Sequence, residues 1–155
     1  MCHHLSWCSI KLYSADRITL LTLALTLRYF LKGKPMTHTG PSEPATLLPR
    51  LLFVDDDPGV LSAVARFLRR YRFYVRTVLS AEDGLCELHE HGPFSVVVSD
   101  YRMPGMTGEQ FLARVAEEAP DTRRMILSAY ADSDQLLAAI NAGRVHRYLT
   151  KPWDS

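Results

Sequence analysis

From Arg50 onward the chain alternates short continuous apolar runs with segments whose apolar residues recur at helical spacing. The predicted strands 51–54, 94–99 and 124–127 carry three or four apolar side chains at consecutive positions, as strands buried on both faces do. Val96, Val97 and Val98 make the second of these the most central. Residues 73–78 alternate, which predicts a strand with one less buried face, and 147–150 predict a fifth strand. Between the runs lie helix signals. Asp57-Pro58 supplies an N-cap acid and a proline at the first helical position, and Val60, Leu61, Val64, Phe67 and Leu68 follow at helical spacing. Ser80-Ala81-Glu82-Asp83 starts a second helix that ends at His91-Gly92-Pro93. Thr107 caps a third, carrying Phe111, Leu112 and Val115, and 132–142 form a fourth that ends at Gly143. The pattern (βα)₄β predicts a parallel sheet covered by helices.

The first 35 residues differ in character. The apolar stretch 18–27 continues after Arg28 as Tyr29-Phe30-Leu31 and is bracketed by Arg17, Lys32 and Lys34. It falls short of the about 20 apolar residues that a membrane span needs. No small-residue cleavage pattern follows it, and the Leu/Thr alternation suits a strand or an interfacial segment. Met36 and the Pro/Ser/Thr-rich lead behind it look like a natural start. The chain is therefore divided into a 1–35 apolar, basic extension, a 36–49 linker and a 50–155 folded domain. The extension reads foremost as upstream sequence ahead of the true start. A membrane-proximal segment, acting through residues 18–31, and a packing role are the other two readings.

Composition narrows the class. A hydrophobic fraction of 47% is that of a globular protein, and a net charge of +1 provides no bulk field toward nucleic acid or an anionic membrane. Three scattered cysteines argue against a disulfide framework and fit a reducing cytoplasm. Cys2-His3-His4 with Cys8 has no zinc-site spacing.

The chemistry collects at strand ends. Asp55-Asp56-Asp57 follow the first strand, Asp100 the third, Ser128 the fourth, and Lys151 the fifth. Polar groups at the carboxyl ends of parallel strands meet at one edge of the sheet, where α/β proteins bind their ligands. Each alone has an ordinary explanation: the acids before Pro58 as helix caps, Asp100 as a turn residue, Lys151 as a solvated charge. Asp57 is left to capping. Together, paired acids, a lone strand-end carboxylate, a hydroxyl and a lysine suit a hard divalent cation and a phosphoryl group.

The order of Val54-Asp55-Asp56-Asp57, the run from Ser99 to Met106, Leu127-Ser128-Ala129 and Thr150-Lys151-Pro152 resembles the receiver domain of bacterial two-component response regulators, over about two thirds of the chain. The resemblance implies a flavodoxin-like, doubly wound five-stranded parallel sheet. It implies Asp100 as phosphoacceptor, with Asp55, Asp56, Asp100 and the backbone carbonyl of Arg102 holding Mg²⁺. Ser128 and Tyr148 become the switch pair, Lys151 the phosphoryl-binding cation ahead of a cis proline bond, and Arg102 and Tyr130 the residues that tune signal lifetime. The implied donor is a sensor histidine kinase or phosphotransfer protein. The product is a cytoplasmic signalling switch rather than a metabolic enzyme, with an unknown output module and no direct nucleic-acid contact. The ending 145–153 resembles receivers joined to cyclic-dinucleotide phosphodiesterase, ATPase-type or kinase outputs.

One departure stands out. The receiver pattern has a further helix after Lys151-Pro152, and only Trp153-Asp154-Ser155 follow here, so the (βα)₅ unit reads as truncated, with an apolar sheet face left open. A non-signalling truncated fragment is the alternative that this raises. A haloacid-dehalogenase-type hydrolase, which also uses a strand-end aspartate and Mg²⁺, fits less well, because Gly59 stands where its motif has threonine or valine.

Overall fold

The apolar runs are strands of one parallel sheet. A computed structural model of the chain describes residues 17–31, 48–128 and 144–150. Its strands are β1 (Arg50–Val54), β2 (Tyr74–Val78), β3 (Val96–Asp100), β4 (Arg123–Ser128) and β5 (Arg147–Thr150), in the order β2-β1-β3-β4-β5. Every pairing is parallel. This is the flavodoxin-like order, in which the winding direction reverses between β1 and β3. The helices are α1 (Arg17–Leu31), α2 (Pro58–Leu68), α3 (Ala81–His91) and α4 (Gly108–Glu118).

Strand alternation sorts the core into two layers. Leu51 and Phe53 of β1, Val96 and Val98 of β3, and Met125 and Leu127 of β4 pack with Leu61, Val64 and Leu68 of α2. Leu52, Val54, Val97 and Ile126 face the other way, against Ala81 and Leu88 of α3 and Phe111, Leu112 and Val115 of α4. Both faces of the central strands are thus covered, which is why their sequences run apolar without a break.

The strands and the three helices after β1 fall within a residue or two of their expected positions. A 3-10 turn, Arg69–Tyr71, extends α2 and ends on Arg72 in the left-handed region. The expected helix at 132–142 lies outside the described residues.

The larger difference is at the start of the chain. The apolar stretch expected as a strand or interfacial segment is a 15-residue helix, α1. Its Leu23, Ala24 and Leu27 are fully buried in the layer formed by α2 with β1, β3 and β4. Partly buried Leu31 and, on β5, Leu149 pack against the same layer. Over β1, β3 and β4 this layer is closed: Leu51, Val96, Val98 and Met125 have no exposed surface. Hydrophobic burial is non-directional, so an apolar helix from any part of the chain can cover such a face. Among the described residues, no helix is long and apolar enough to cross a membrane.

On the far edge, Glu87 of α3 accepts a hydrogen bond from Arg76 of β2, and His91 Nδ1 lies 3.2 Å from Glu87 Oε2. The hydrogen bond from Arg76 holds the Glu87 carboxyl below its ordinary range. A carboxylate lowered in this way stabilises the fold above its unfolded value, about 4.3, and that contribution is lost as pH falls through the folded value. Glu87→Gln is expected to lower the thermal midpoint at neutral pH. The gap from wild type should close on acidification below about pH 4. A gap that persists unchanged in acid would remove the ion pair from the account.

Candidate functional site

Strand register brings the site together. Val54 pairs with Ser99, so Asp55 and Asp100 follow at matching positions on the neighbouring strands β1 and β3. Asp100 pairs with Leu127, and Ser128 is the next residue of β4. Ser128 pairs in turn with Thr150, the residue before Lys151. The carboxyl ends of β1, β3 and β4 therefore carry Asp55, Asp100 and Ser128 to one edge, centred on the β1/β3 reversal.

These three side chains are withdrawn from solvent: Asp55 is 4% exposed, Asp100 7% and Ser128 4%. Buried carboxylates persist where partners or ions compensate them. Asp55 Oδ1 accepts from the Asp57 amide at 3.0 Å, and Asp100 Oδ2 accepts from the Arg102 amide at 3.0 Å. Asp57 takes the capping role expected of it, accepting from the amides of Gly59 at 2.8 Å and Val60 at 3.4 Å at the start of α2. Asp56 is exposed, as is Arg102, whose backbone amide meets Asp100. Tyr148 is half-buried and packs against the α3/α4 layer. Tyr130 and Lys151, with the Lys151–Pro152 bond, lie outside the described residues.

The loop after Asp100 is held at both ends. Met103 is buried in the α3/α4 layer, and Tyr101 and Met106 pack against it. Gly105 takes a φ of +79°, a backbone conformation that a side chain would strain. The Tyr101 amide donates to Leu127 O at 2.8 Å, and the Gly108 amide donates to Tyr101 O at 3.0 Å. Thr107 and Gln110 form a reciprocal capping box that starts α4 directly after the loop.

Two contributors were not singled out from the sequence. Ser99 Oγ donates to the Asp100 carbonyl at 2.9 Å. Gly108 lies so close to the same carbonyl that a Cβ there would sit 2.0 Å from Asp100 O. A glycine directly behind a helix cap, where most residues hold a helix better, was the available signal.

Among the described residues, no three His, Cys, Asp or Glu side chains form a ready-made metal cage. The donor set suits a cation that needs less. Mg²⁺ is held by one or two carboxylates and completes its octahedron with waters and phosphate oxygens. Asp55 and Asp100 are oxygen donors of that kind, at matching strand ends.

A doubly wound parallel sheet with two buried carboxylates at its reversal point defines a flavodoxin-like α/β module with an acidic edge at the carboxyl ends of its strands. Comparison with known proteins identifies the module. The chain belongs to the response regulator receiver domain family, whose model matches residues 51–155. The hydrogenase transcriptional regulatory protein HoxA of Cupriavidus necator is 39% identical over 103 residues, 66% of this chain and 21% of that protein. The transcriptional regulatory protein GlrR of Escherichia coli is 36% identical over 104 residues, 67% of this chain and 23% of that protein. The chain thus spans about a fifth of the length of these relatives. Among solved structures, the signal receiver domain of an HD domain-containing protein from Pseudomonas fluorescens matches with a TM-score of 0.65 at 30% identity, covering 70% of this chain and 86% of that one. A CheY-like receiver domain protein from Methanospirillum hungatei matches with a TM-score of 0.64 at 27% identity, covering 70% and 85%. The folded part is a receiver domain of the two-component signalling class.

Proposed function

We propose that Asp100 is the phosphoacceptor of this receiver and that a histidine kinase or histidine phosphotransfer protein is its donor. One observation carries this most directly: Asp100 is a buried carboxylate at the end of the central strand, matched across the sheet by a second buried carboxylate, Asp55. In the transfer, an Asp100 carboxylate oxygen attacks phosphorus. The phosphorus–nitrogen bond of the donor imidazole breaks, and an acyl phosphate forms. Hydrolysis of that acyl phosphate returns the carboxylate and releases inorganic phosphate.

Mg²⁺ held by Asp55, Asp56, Asp100 and the Arg102 carbonyl would neutralise the phosphoryl oxygens. The Arg102 amide, bonded to Asp100 Oδ2, restrains the carboxylate's orientation. Ser128 donates its hydroxyl to the phosphoryl group and Lys151 supplies a positive charge to it. Tyr148 rearranges with Ser128 to carry the signal to the surface, and the side chains of Arg102 and Tyr130 set how long the phosphoryl group survives. The domain acts in the cytoplasm as a switch, catalysing only its own phosphorylation and dephosphorylation. HoxA and GlrR are transcriptional regulators by name. That kinship favours a role as the input of a transcriptional regulator over the phosphodiesterase, ATPase-type or kinase outputs suggested by the sequence of the ending.

The test is labelling of the full chain by a small acyl phosphate with Mg²⁺, read as a mass increase of the intact protein. Wild type should gain one phosphoryl group. Asp100→Asn, and wild type with the cation chelated, should gain none. A cooperatively folded wild type that takes no label would overturn the assignment. Label retained in Asp100→Asn would move the acceptor elsewhere.

A further inference from the structure

Phosphoacceptor chemistry leaves α1 unexplained. This helix lies ahead of the whole sheet in sequence, yet Leu23, Ala24 and Leu27 are fully buried in the core cluster that α2 forms with β1, β3 and β4. Their surroundings are specific. The cluster that holds them contains Phe53 of β1, Val98 of β3 and Leu127 of β4. Phe53 lies two residues before Asp55, Val98 two residues before Asp100, and Leu127 directly before Ser128. The apolar layer to which α1 contributes therefore includes a residue one or two positions before each of the three buried polar groups of the site. Residues 32–49 separate α1 from β1 in sequence, so its docking is a tertiary contact and not a continuation of the sheet.

We propose that α1 is a positioning helix for the phosphoacceptor site, and that its docking on the β1-β3-β4 face sets the site's competence. This rests on Asp100 being the acceptor. With α1 docked, the ends of β1, β3 and β4 are packed from both sides, by α1 and α2 on one face and by α3 and α4 on the other. With α1 released, one side of that packing is lost directly behind the reacting groups. Displacements of about 1 Å among reacting groups are enough to cost a large factor in rate. The site would then respond to any partner or strain that draws α1 off the sheet. That gives the domain a second input, upstream of β1, in addition to its phosphodonor.

The test compares three variants of the full chain with wild type. Leu27→Ala shortens a buried contact, Leu27→Met keeps its volume, and Leu25→Ala changes a residue on the same helix that is 55% exposed. Labelling by a small acyl phosphate is followed at a temperature about 10 °C or more below the lowest unfolding midpoint, so that every variant is folded. Leu27→Ala is expected to label on the order of tenfold more slowly than wild type. It should also need more Mg²⁺ for half-maximal rate, whereas Leu27→Met and Leu25→Ala should follow wild type. Unchanged labelling by folded Leu27→Ala would reduce α1 to a structural cover and overturn the inference alone. An unchanged unfolding midpoint in that variant would overturn the docking itself. A folded wild type without label would overturn the phosphoacceptor assignment, and the inference with it.

Discussion

A Gly108→Ala chain is expected to unfold about 2–4 kcal/mol more easily than wild type and to lose most of its labelling at Asp100. The added methyl has nowhere to go. Its carbon would stand 2.0 Å from the Asp100 carbonyl oxygen, 3.0 Å from the Asp100 carbonyl carbon and 3.0 Å from Ser99 Oγ. Two of those three atoms are backbone, so no rotamer change relieves the contact. Nor can α4 tilt away cheaply, because the Gly108 amide is bonded to Tyr101 O and buried Phe111, Leu112 and Val115 hold the same helix to the sheet. The end of β3 must yield instead, and Asp100 moves with it. Helix propensity gives the opposite sign, since alanine holds a helix better than glycine by about 1 kcal/mol. The direction of the shift in urea midpoint therefore decides between the two. A midpoint equal to or above that of wild type would mean that the close approach at Asp100 relaxes freely.

What the sequence made legible follows from how each element is held. Strands β1, β3 and β4 are buried on both faces, so each had to be written as an unbroken apolar run, and each could be read as one. The acids and the hydroxyl at their ends were legible because parallel topology sends all strand ends to one edge, whatever the details of packing. Asp57 was legible as a cap because capping depends only on its neighbours Pro58, Gly59 and Val60. Contacts between distant segments were harder to see. The docking of α1 depends on a sheet face more than 20 residues away in the chain, and its Leu/Thr pattern marks no single face. Arg124 looked like the polar start of a strand. It is 5% exposed, and its guanidinium donates to the carbonyls of Pro120, Thr122 and Arg144, tying the loop before β4 to the one before β5. Burial lowers its pKa below the ordinary arginine value. Gly108 is the same kind of case: its role is a distance to Asp100, and a single sequence carries distances only through topology.

Gly84 and Phe111 should prove coupled, with the double variant losing less stability than the two single losses added together. Gly84 sits on α3 where the ring of Phe111, from α4, crosses it. A Cβ at Gly84 would lie 2.9 Å from two ring atoms and 3.1 Å from Val54 Cγ2. Phe111 is fully buried, so its ring has little room to withdraw. Gly84→Ala alone sets an overpacking cost of about 1–3 kcal/mol against a helix-propensity gain of about 1 kcal/mol, leaving a modest net loss. Phe111→Ala alone removes the ring that fills the space between the two helices and β1, and should cost about 3–5 kcal/mol. In the double variant the new methyl enters space that the ring has left. Its clash with the ring disappears and only the 3.1 Å approach to Val54 Cγ2 is left, its propensity gain remains and part of the cavity is filled. The double variant should therefore be more stable than the sum of the single losses implies, by about 1–3 kcal/mol. Denaturant unfolding of the four chains closes the cycle. Additive losses would show that α3 and α4 shift apart to admit the methyl. In that event the layer behind Val54, which leads into Asp55, would be softer than its complete burial implies.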